Sequence, residues 1–377
     1  MRAALVTRAG QASDAGVVTF SAEAAAPPSP GPGQLLLRVL ASSFAAGDVH
    51  MLSGRVSLVF KPERYPYCPG MDVCGVVAAV GPPRPGAKEA AAAAATARFE
   101  VGDEVAAFVQ SGACTAEFVL VDATKAAAKP ASVPAAAAAA CVTSSVTALN
   151  AVMRGAARVR PGDRVLVLGG SGGVGSSVVQ LAKAAGAAFV AATSTQGALL
   201  QRLGCDRVLN HREPGLDWWR DAALKATPLD VIIDCVGGNA HYAKACSSGA
   251  LKGRRAGGRF VAVSGDVNEP LVQTITQLLG FAGGMMWCML WRPLWAALTG
   301  APAYSAIASF ASAADIREVL ALIEAGKLTV ALDERGPFPF SADGVRDALS
   351  LQQSGRAHGK VVVAVAGGQS EGQRRAT

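Results

Sequence analysis

The residues best placed to do chemistry lie in one run, Val165-Leu-Val-Leu-Gly169-Gly170-Ser171-Gly172-Gly173-Val174-Gly175. Gly170, Gly172 and Gly175 fit the spacing G-x-G-x-x-G, and the run joins an apolar strand to a helix. Glycine at such positions permits a tight turn, close approach of a pyrophosphate to the backbone, and tight packing of helix on sheet. The helix N-terminus then adds amide donors and a favourable dipole for phosphate. Glycine-rich turns are common, and methyltransferases use similar loops. Here the strand, the helix and a second strand follow in order, so dinucleotide binding is the expected chemistry. Gly170, Ser171, Gly172, Gly173, Val174 and Gly175 are its candidate contacts.

The end of the second strand bears on which dinucleotide. NAD sites place an acid there, about twenty residues past the glycines, to hold the ribose hydroxyls. This chain reads Ala192-Thr193-Ser194-Thr195-Gln196-Gly197, with no carboxylate before Asp206. Thr193, Ser194 and Thr195 offer hydroxyls and no repulsion, which suits a 2′-phosphate and predicts NADPH. A cationic partner has to come from farther along, with Arg202 and His211 as candidates. The alternative is a polar loop with no preference.

The elements that must position these residues differ before and after Pro130 to Cys141, a proline-started stretch that marks a candidate domain boundary. Before it, short β-rich segments at Leu35–Leu40, Gly75–Val80, Asp103–Val109 and Glu117–Val121 predict a compact, barrel-like module. After it, strands at Val165–Leu168, Ala188–Ala192, Val231–Asp234 and Arg259–Val263 alternate with helices. That alternation predicts parallel βαβ units, an α/β class. Near the end, Asp315–Ala325 reads as an amphipathic helix and Lys360–Val365 as an apolar strand. Gly81 to Ala97 reads as a surface insertion, and the polar tail from Gly367 to Thr377 as frayed.

The 377 residues are 51% hydrophobic and 17% charged, which is core-forming composition. The formal charge of +7 is spread without an arginine-rich helix or an aromatic-basic stripe, so nucleic acid is not expected as a partner. The eight dispersed cysteines predict reduced thiols in a cytoplasmic-type compartment, and no signal peptide is read at Met1–Val6. One stretch, Gln273 to Trp291, is uncharged for about nineteen residues. Its glutamines, threonines and glycines argue against a spanning helix. A pocket wall, a subunit contact, or a peripheral contact with an organelle membrane remain open for it. Trp287, Trp291 and Trp295 recur at about one-turn spacing there, and would share a face unless Pro293 breaks or kinks the helix.

From Met1 to about Val365 the chain resembles the medium-chain dehydrogenase/reductases, in the quinone oxidoreductase branch, with features of the reticulon-interacting mitochondrial oxidoreductases. The resemblance rests on Pro69-Gly70-Met71-Asp72-Val73-Cys74-Gly75-Val76-Val77, Val101-Gly102-Asp103-Glu104-Val105, Cys114-Thr115-Ala116-Glu117-Phe118, the glycine loop with Gln180-Leu-Ala-Lys183, Asp234-Cys-Val-Gly-Gly238 and Gly355-Arg-Ala-His-Gly359-Lys360, and its finer placement on Lys61-Pro-Glu-Arg-Tyr-Pro-Tyr67 and the long apolar insertion after Val263. It implies a GroES-like β-rich catalytic domain, residues 1–130 with 309–366 returning to it, and a Rossmann doubly wound parallel sheet over 131–308. Residues 367–377 form the tail. It implies a homodimer, and a reaction that passes hydride from NADPH to a small hydrophobic quinone or enone. A 2-alkenal or enoyl-thioester reductase, or a non-catalytic NADPH-binding protein, are the alternatives. Where zinc-dependent relatives carry cysteine, histidine and cysteine, this chain has Ala45, Met71 and Thr143, so no metal is expected. His50 falls where relatives carry a proton-relay histidine or a tyrosine, and its pKa range suits proton delivery. Asp48 matches a loop-organising position, and Tyr65 and Tyr67 are further pocket candidates. Val236, Gly237, Val263 and Lys360 complete the cofactor candidates. The branch's usual Asn-Pro is Ala45-Ala46 here, and a common arginine is Leu52, which removes polar contacts near the nicotinamide.

Overall fold

The computed structural model describes residues 1–377 except 84–97, 155–157, 214, 216, 239, 264–270, 308–310 and 367–377. Most of the expected surface insertion and the whole of the tail therefore lie outside the described residues.

β1 (Ala3–Val6) and β2 (Val18–Ser21) form an antiparallel pair. The larger sheet of the N-terminal domain takes β3 (Gln34–Ser43), β4 (Asp72–Val80), β5 (Glu104–Phe108), β6 (Phe118–Asp122) and β7 (Ala126–Ala128). In β3, Leu35, Leu37 and Val39 are buried while Arg38 is exposed, the alternation of a sheet packed on one face. β14 (Phe338–Pro339) and β15 (Val362–Ala364) come from the other end of the chain, and β15 pairs antiparallel with β3 through Val362–Ser43 and Ala364–Ala41. The short helix α1 (Ala46–Ser53) leaves the end of β3.

α2 (Ala135–Met153) is long and apolar enough to cross a membrane, yet it is mostly buried in the protein. Its alanines let it pack closely against β3, β4 and β5 on one side and against α3 on the other. It therefore packs against elements of both domains.

The second domain holds β8 (Arg164–Leu168), β9 (Phe189–Thr193), β10 (Arg207–Leu209), β11 (Val231–Asp234), β12 (Arg259–Ala262) and β13 (Ala303–Ala306). They form one parallel sheet in the order β10-β9-β8-β11-β12-β13. The four apolar residues of β8, Val165 to Leu168, are all buried, because helices cover both faces of a parallel sheet. The chain runs outward from β8 to β10, then returns to place β11 on β8's other side. The strand order thus reverses beside β8, where open α/β sheets form a binding crevice at their carboxyl ends. The helices of this half are α3 (Gly173–Ala184), α4 (Gly197–Arg202), α5 (Ala222–Ala226), α6 (His241–Ser248), α7 (Ile275–Met286) and α8 (Arg292–Thr299). α9 (Ala313–Glu324) and α10 (Ala342–Gln353) follow.

The Gln273–Trp291 stretch departs from a simple helix stopped by proline. α7 begins at a capping box of Thr274 and Gln277, passes through a π turn at Trp287–Trp291, and continues as α8 with Pro293 in its first turn. The π turn ahead of it, in which the Arg292 N–H reaches the Trp287 carbonyl, is the helix irregularity that accommodates the proline. Nor do the three indoles work as one face: Trp287 lines the interdomain cleft, whereas Trp291 and Trp295 lie outside its lining.

Candidate functional site

The cleft between the domains has a volume of about 1940 Å³ and opens at the carboxyl ends of β8, β9, β11 and β12. At its base, β8 turns through Gly169 and Gly170 into Gly172, the N-cap of α3. A β-carbon at Gly175 would land on the Gly169 carbonyl oxygen, and one at Gly170 would lie 2.6 Å from the Ala192 β-carbon. Only glycine lets the helix start this close to the strand. Gly169 N–H donates to Thr193 Oγ1 at 2.9 Å and Gly170 N–H to the Thr193 carbonyl at 3.0 Å, so β9 braces the turn. The first-turn amides of α3 have no intrahelical acceptor, and Ser171 and Gly172 line the cleft above them. This is a cradle that a pyrophosphate fits.

The ribose end lies beyond β9. Ser194 is buried, with its hydroxyl oxygen accepting the Gln196 amide at 2.9 Å. Thr193, Ser194 and Thr195 line the cleft together with Arg202, His211 and Arg212. Asp206 is at the opposite end of β9, where its carboxylate takes the Val190 amide at 2.7 Å and Lys183 at 2.5 Å. The hydroxyl-rich strand end thus shares the cleft with two arginines, Arg202 and Arg212, and Thr193–Gln196 hold no carboxylate.

The returning chain closes the groove from above. Gly359 N–H donates to the Ser171 carbonyl at 2.8 Å, and Gln196 Nε2 lies 3.3 Å from His358 Nε2. Asp333 orients this segment by accepting Arg335 at 2.8 and 2.7 Å and the His358 amide at 2.8 Å. Those donors hold its carboxyl down at about 2. Arg335, Arg356 and His358 all reach the cleft lining.

On the N-terminal-domain side, α1 presents His50 to the cleft, where burial pushes the imidazole pKa below its ordinary value. Asp48, in the first turn of the same helix, is fully buried and accepts the Ala45 amide at 2.9 Å and the Gly70 amide at 2.8 Å. Burial, aided by Asp72, raises its pKa to about 7 in spite of those amides. Tyr65 and Tyr67 are not brought to the cleft. Tyr65 is exposed, with its ring centroid 5.8 Å from that of Tyr67, and the buried Tyr67 hydroxyl has no hydrogen-bond partner among the described residues. Val236 and Val263 do reach the lining, whereas Gly237 turns its amide to Asp234 at 3.0 Å.

Lys360 differs from its expected place. Its ammonium is buried and donates to the Phe44 carbonyl at 2.6 Å and to Asp72 Oδ2 at 3.2 Å, so it does not extend into the cofactor groove. Thr143 donates its hydroxyl to the other oxygen of Asp72. Phe44, Asp72 and Thr143 are, or adjoin, the three positions that the family resemblance matches to zinc ligands. Here that ground holds a methionine, an alanine and a lysine–aspartate–threonine lock, which is not a zinc donor set. Asp72 carries no role in the sequence reading. Its only signal there is membership of the Pro69–Gly75 motif, because its partner lies 288 positions away.

Residues 31–143 match the alcohol dehydrogenase GroES-like domain, and residues 203–363 match the zinc-binding dehydrogenase domain. A 2-methylene-furan-3-one reductase of Solanum lycopersicum is 30% identical over 341 residues, which cover 88% of this chain and 71% of that protein. The chain belongs to the quinone oxidoreductase branch of the medium-chain dehydrogenase/reductases. Among other similar members are an NADPH-dependent alkenal/one oxidoreductase of Arabidopsis thaliana, 29% identical over 88% of this chain and 72% of that one, and NAD(P)H oxidoreductase RTN4IP1 of Bos taurus, 28% identical over 89% and 82%. A mycobacterial structure solved with NADPH superposes with a TM-score of 0.69 at 26% identity, over 97% of this chain and 99% of that one. This medium-chain reductase is accordingly an oxidoreductase with a GroES-like domain and a Rossmann domain.

Proposed function

We propose that this chain uses NADPH to reduce a conjugated carbonyl or quinone, without zinc. The observation that carries the reading is the single cleft in which the phosphate cradle, the cation-rich ribose end, His50 and an apolar wall of Phe281, Met285 and Trp287 all meet. The Gly169–Gly175 turn would hold the pyrophosphate, and Ser194, Thr195, Arg202, His211 and Arg212 the 2′-phosphate. NADPH, when bound, supplies hydride. The residues of the chain then have to orient the acceptor, keep water out and furnish a proton. His50, kept neutral by burial, has an N–H to offer a developing enolate or quinol oxygen. The Asp72–Lys360–Thr143 lock occupies the ground where a Lewis acid would sit. Simple carbonyls, whose alkoxide needs such a charge, are therefore disfavoured against conjugated acceptors that spread it.

A 2-alkenal or enone double-bond reductase is the second reading within the same chemistry. It is favoured by the two plant relatives, which are named for such substrates. The family's dimer is proposed at the free side of β13, which ends the parallel sheet among the described residues. NADPH oxidation with a panel of quinones, enals, enones and saturated aldehydes, with and without chelator, tests the function. We expect turnover of conjugated acceptors alone and no effect of chelator. Stoichiometric zinc whose removal abolishes activity would overturn the zinc-free reading.

A further inference from the structure

We propose that α7, the π turn and α8 form a docking face for an anionic lipid bilayer, through which a lipid-dissolved acceptor reaches the cleft. α7 contains no buried residue, and α8 buries only Ala296. Ile275 is 73%, Leu290 64% and Leu298 79% exposed, and none of the three lines the cleft. A run of exposed apolar side chains of this size is stable where something apolar covers it. The face also crosses the domain seam. Leu58 N–H donates to the Val272 carbonyl at 3.2 Å, and this link joins exposed Leu58 and Val59 to exposed Leu271 and Ile275.

Charge selects the occupant. No aspartate or glutamate lies between Pro270 and Ala314. At the far end of α8, exposed Arg254 and Arg255 are fastened to the helix terminus by the Arg254 N–H, which donates to the Gly300 carbonyl at 3.1 Å. A two-fold copy whose axis passed through this segment would bring the same acid-free stretch to it, with no carboxylate of that stretch to meet those arginines. Anionic headgroups supply that charge while acyl chains take the leucines, and exposed Trp291 and Trp295 suit the boundary between them. The inner side of the same segment, at Gly280, Phe281, Met285 and Trp287, is the cleft wall. One helix therefore separates bilayer from active site. Only the route for the acceptor rests on the proposed function; the docking does not.

Flotation of the full chain with phosphatidylcholine vesicles, with and without phosphatidylglycerol, tests this beside the variant L279E/L290E/L298E. The unaltered protein should float with the anionic vesicles, at least about tenfold more than with neutral ones. The variant should stay in solution and still oxidise NADPH with a short, water-soluble quinone. Quenching of tryptophan fluorescence by brominated lipid checks the same contact without any variant. The proposal fails if the unaltered protein ignores both vesicles, or if the variant floats equally well. It also fails if sedimentation shows a dimer that the variant splits while vesicles bind neither form. Flotation without any NADPH oxidation would leave the docking standing and refute the enzyme reading instead.

Discussion

Asp48, in the first turn of the helix that carries His50, accepts two backbone amides, and its burial outweighs what those amides contribute to the charged form. Its pKa in the fold, about 7, lies above its ordinary value of 3.8. The folded state therefore binds this proton more tightly than the unfolded one. The associated stability is fully present below about pH 4 and is lost as pH rises through about 7, opposite to a salt-bridged carboxylate, and amounts to about 4 kcal/mol. Asp48→Asn removes this dependence and keeps one amide acceptor. Urea unfolding should show the variant less stable than the parent at about pH 5 and closer to it at about pH 8. A gap that widens with pH would mean that Asp48 is ionised throughout. At the ribose end, Ser194→Asp puts a charge among the proposed 2′-phosphate contacts. NADPH should bind roughly tenfold or more weaker, with NADH little changed. Equal affinities for both cofactors in the parent protein would remove the basis for this prediction.

Among elements, the lock between Lys360, beside β15, and Asp72, at the start of β4, bears most directly on how the cleft is held. A β-carbon at Gly173 would lie 2.8 Å from Lys360 Cδ, so the lysine stem packs against the first turn of α3 while its ammonium reaches the other domain. Lys360→Met should cost about 3–5 kcal/mol in urea unfolding, because Asp72 is left buried without its cation. Adding Asp72→Asn should recover part of that loss. Two independent, additive losses would show that the pair is not coupled. β8, β9, β11 and β12 were legible in the sequence because each is a short apolar run bounded by turns, a local pattern. The turn at Gly169–Gly175 was legible for the same reason: its glycines answer contacts within a few residues, or with the next strand. The lock was not, since an ion pair across 288 positions leaves no periodic trace. Tyr65 and Tyr67 show the same limit, because a motif position says nothing of which way a ring points. Pro293 read as a helix breaker, yet the widened π turn just before it lets the helix continue past the proline.

For the whole molecule, the decisive feature is that neither domain owns the site. The Rossmann half supplies the cradle, and α1 of the N-terminal domain supplies His50. The returning segment, through Gly359 and Ser171, fastens one to the other. Under the proposed function, an acceptor would lie between a cofactor on one wall and His50 on the other, the arrangement that reaction requires. The most direct measurement is the fate of the hydride. With NADPH carrying deuterium at the transferable position and an enone as acceptor, the product should gain one deuterium at the carbon remote from the carbonyl. The proton at the adjacent carbon should come from solvent. Consumption of NADPH without deuterium in the product, or binding of NADPH with no turnover on any conjugated acceptor, would contradict the account.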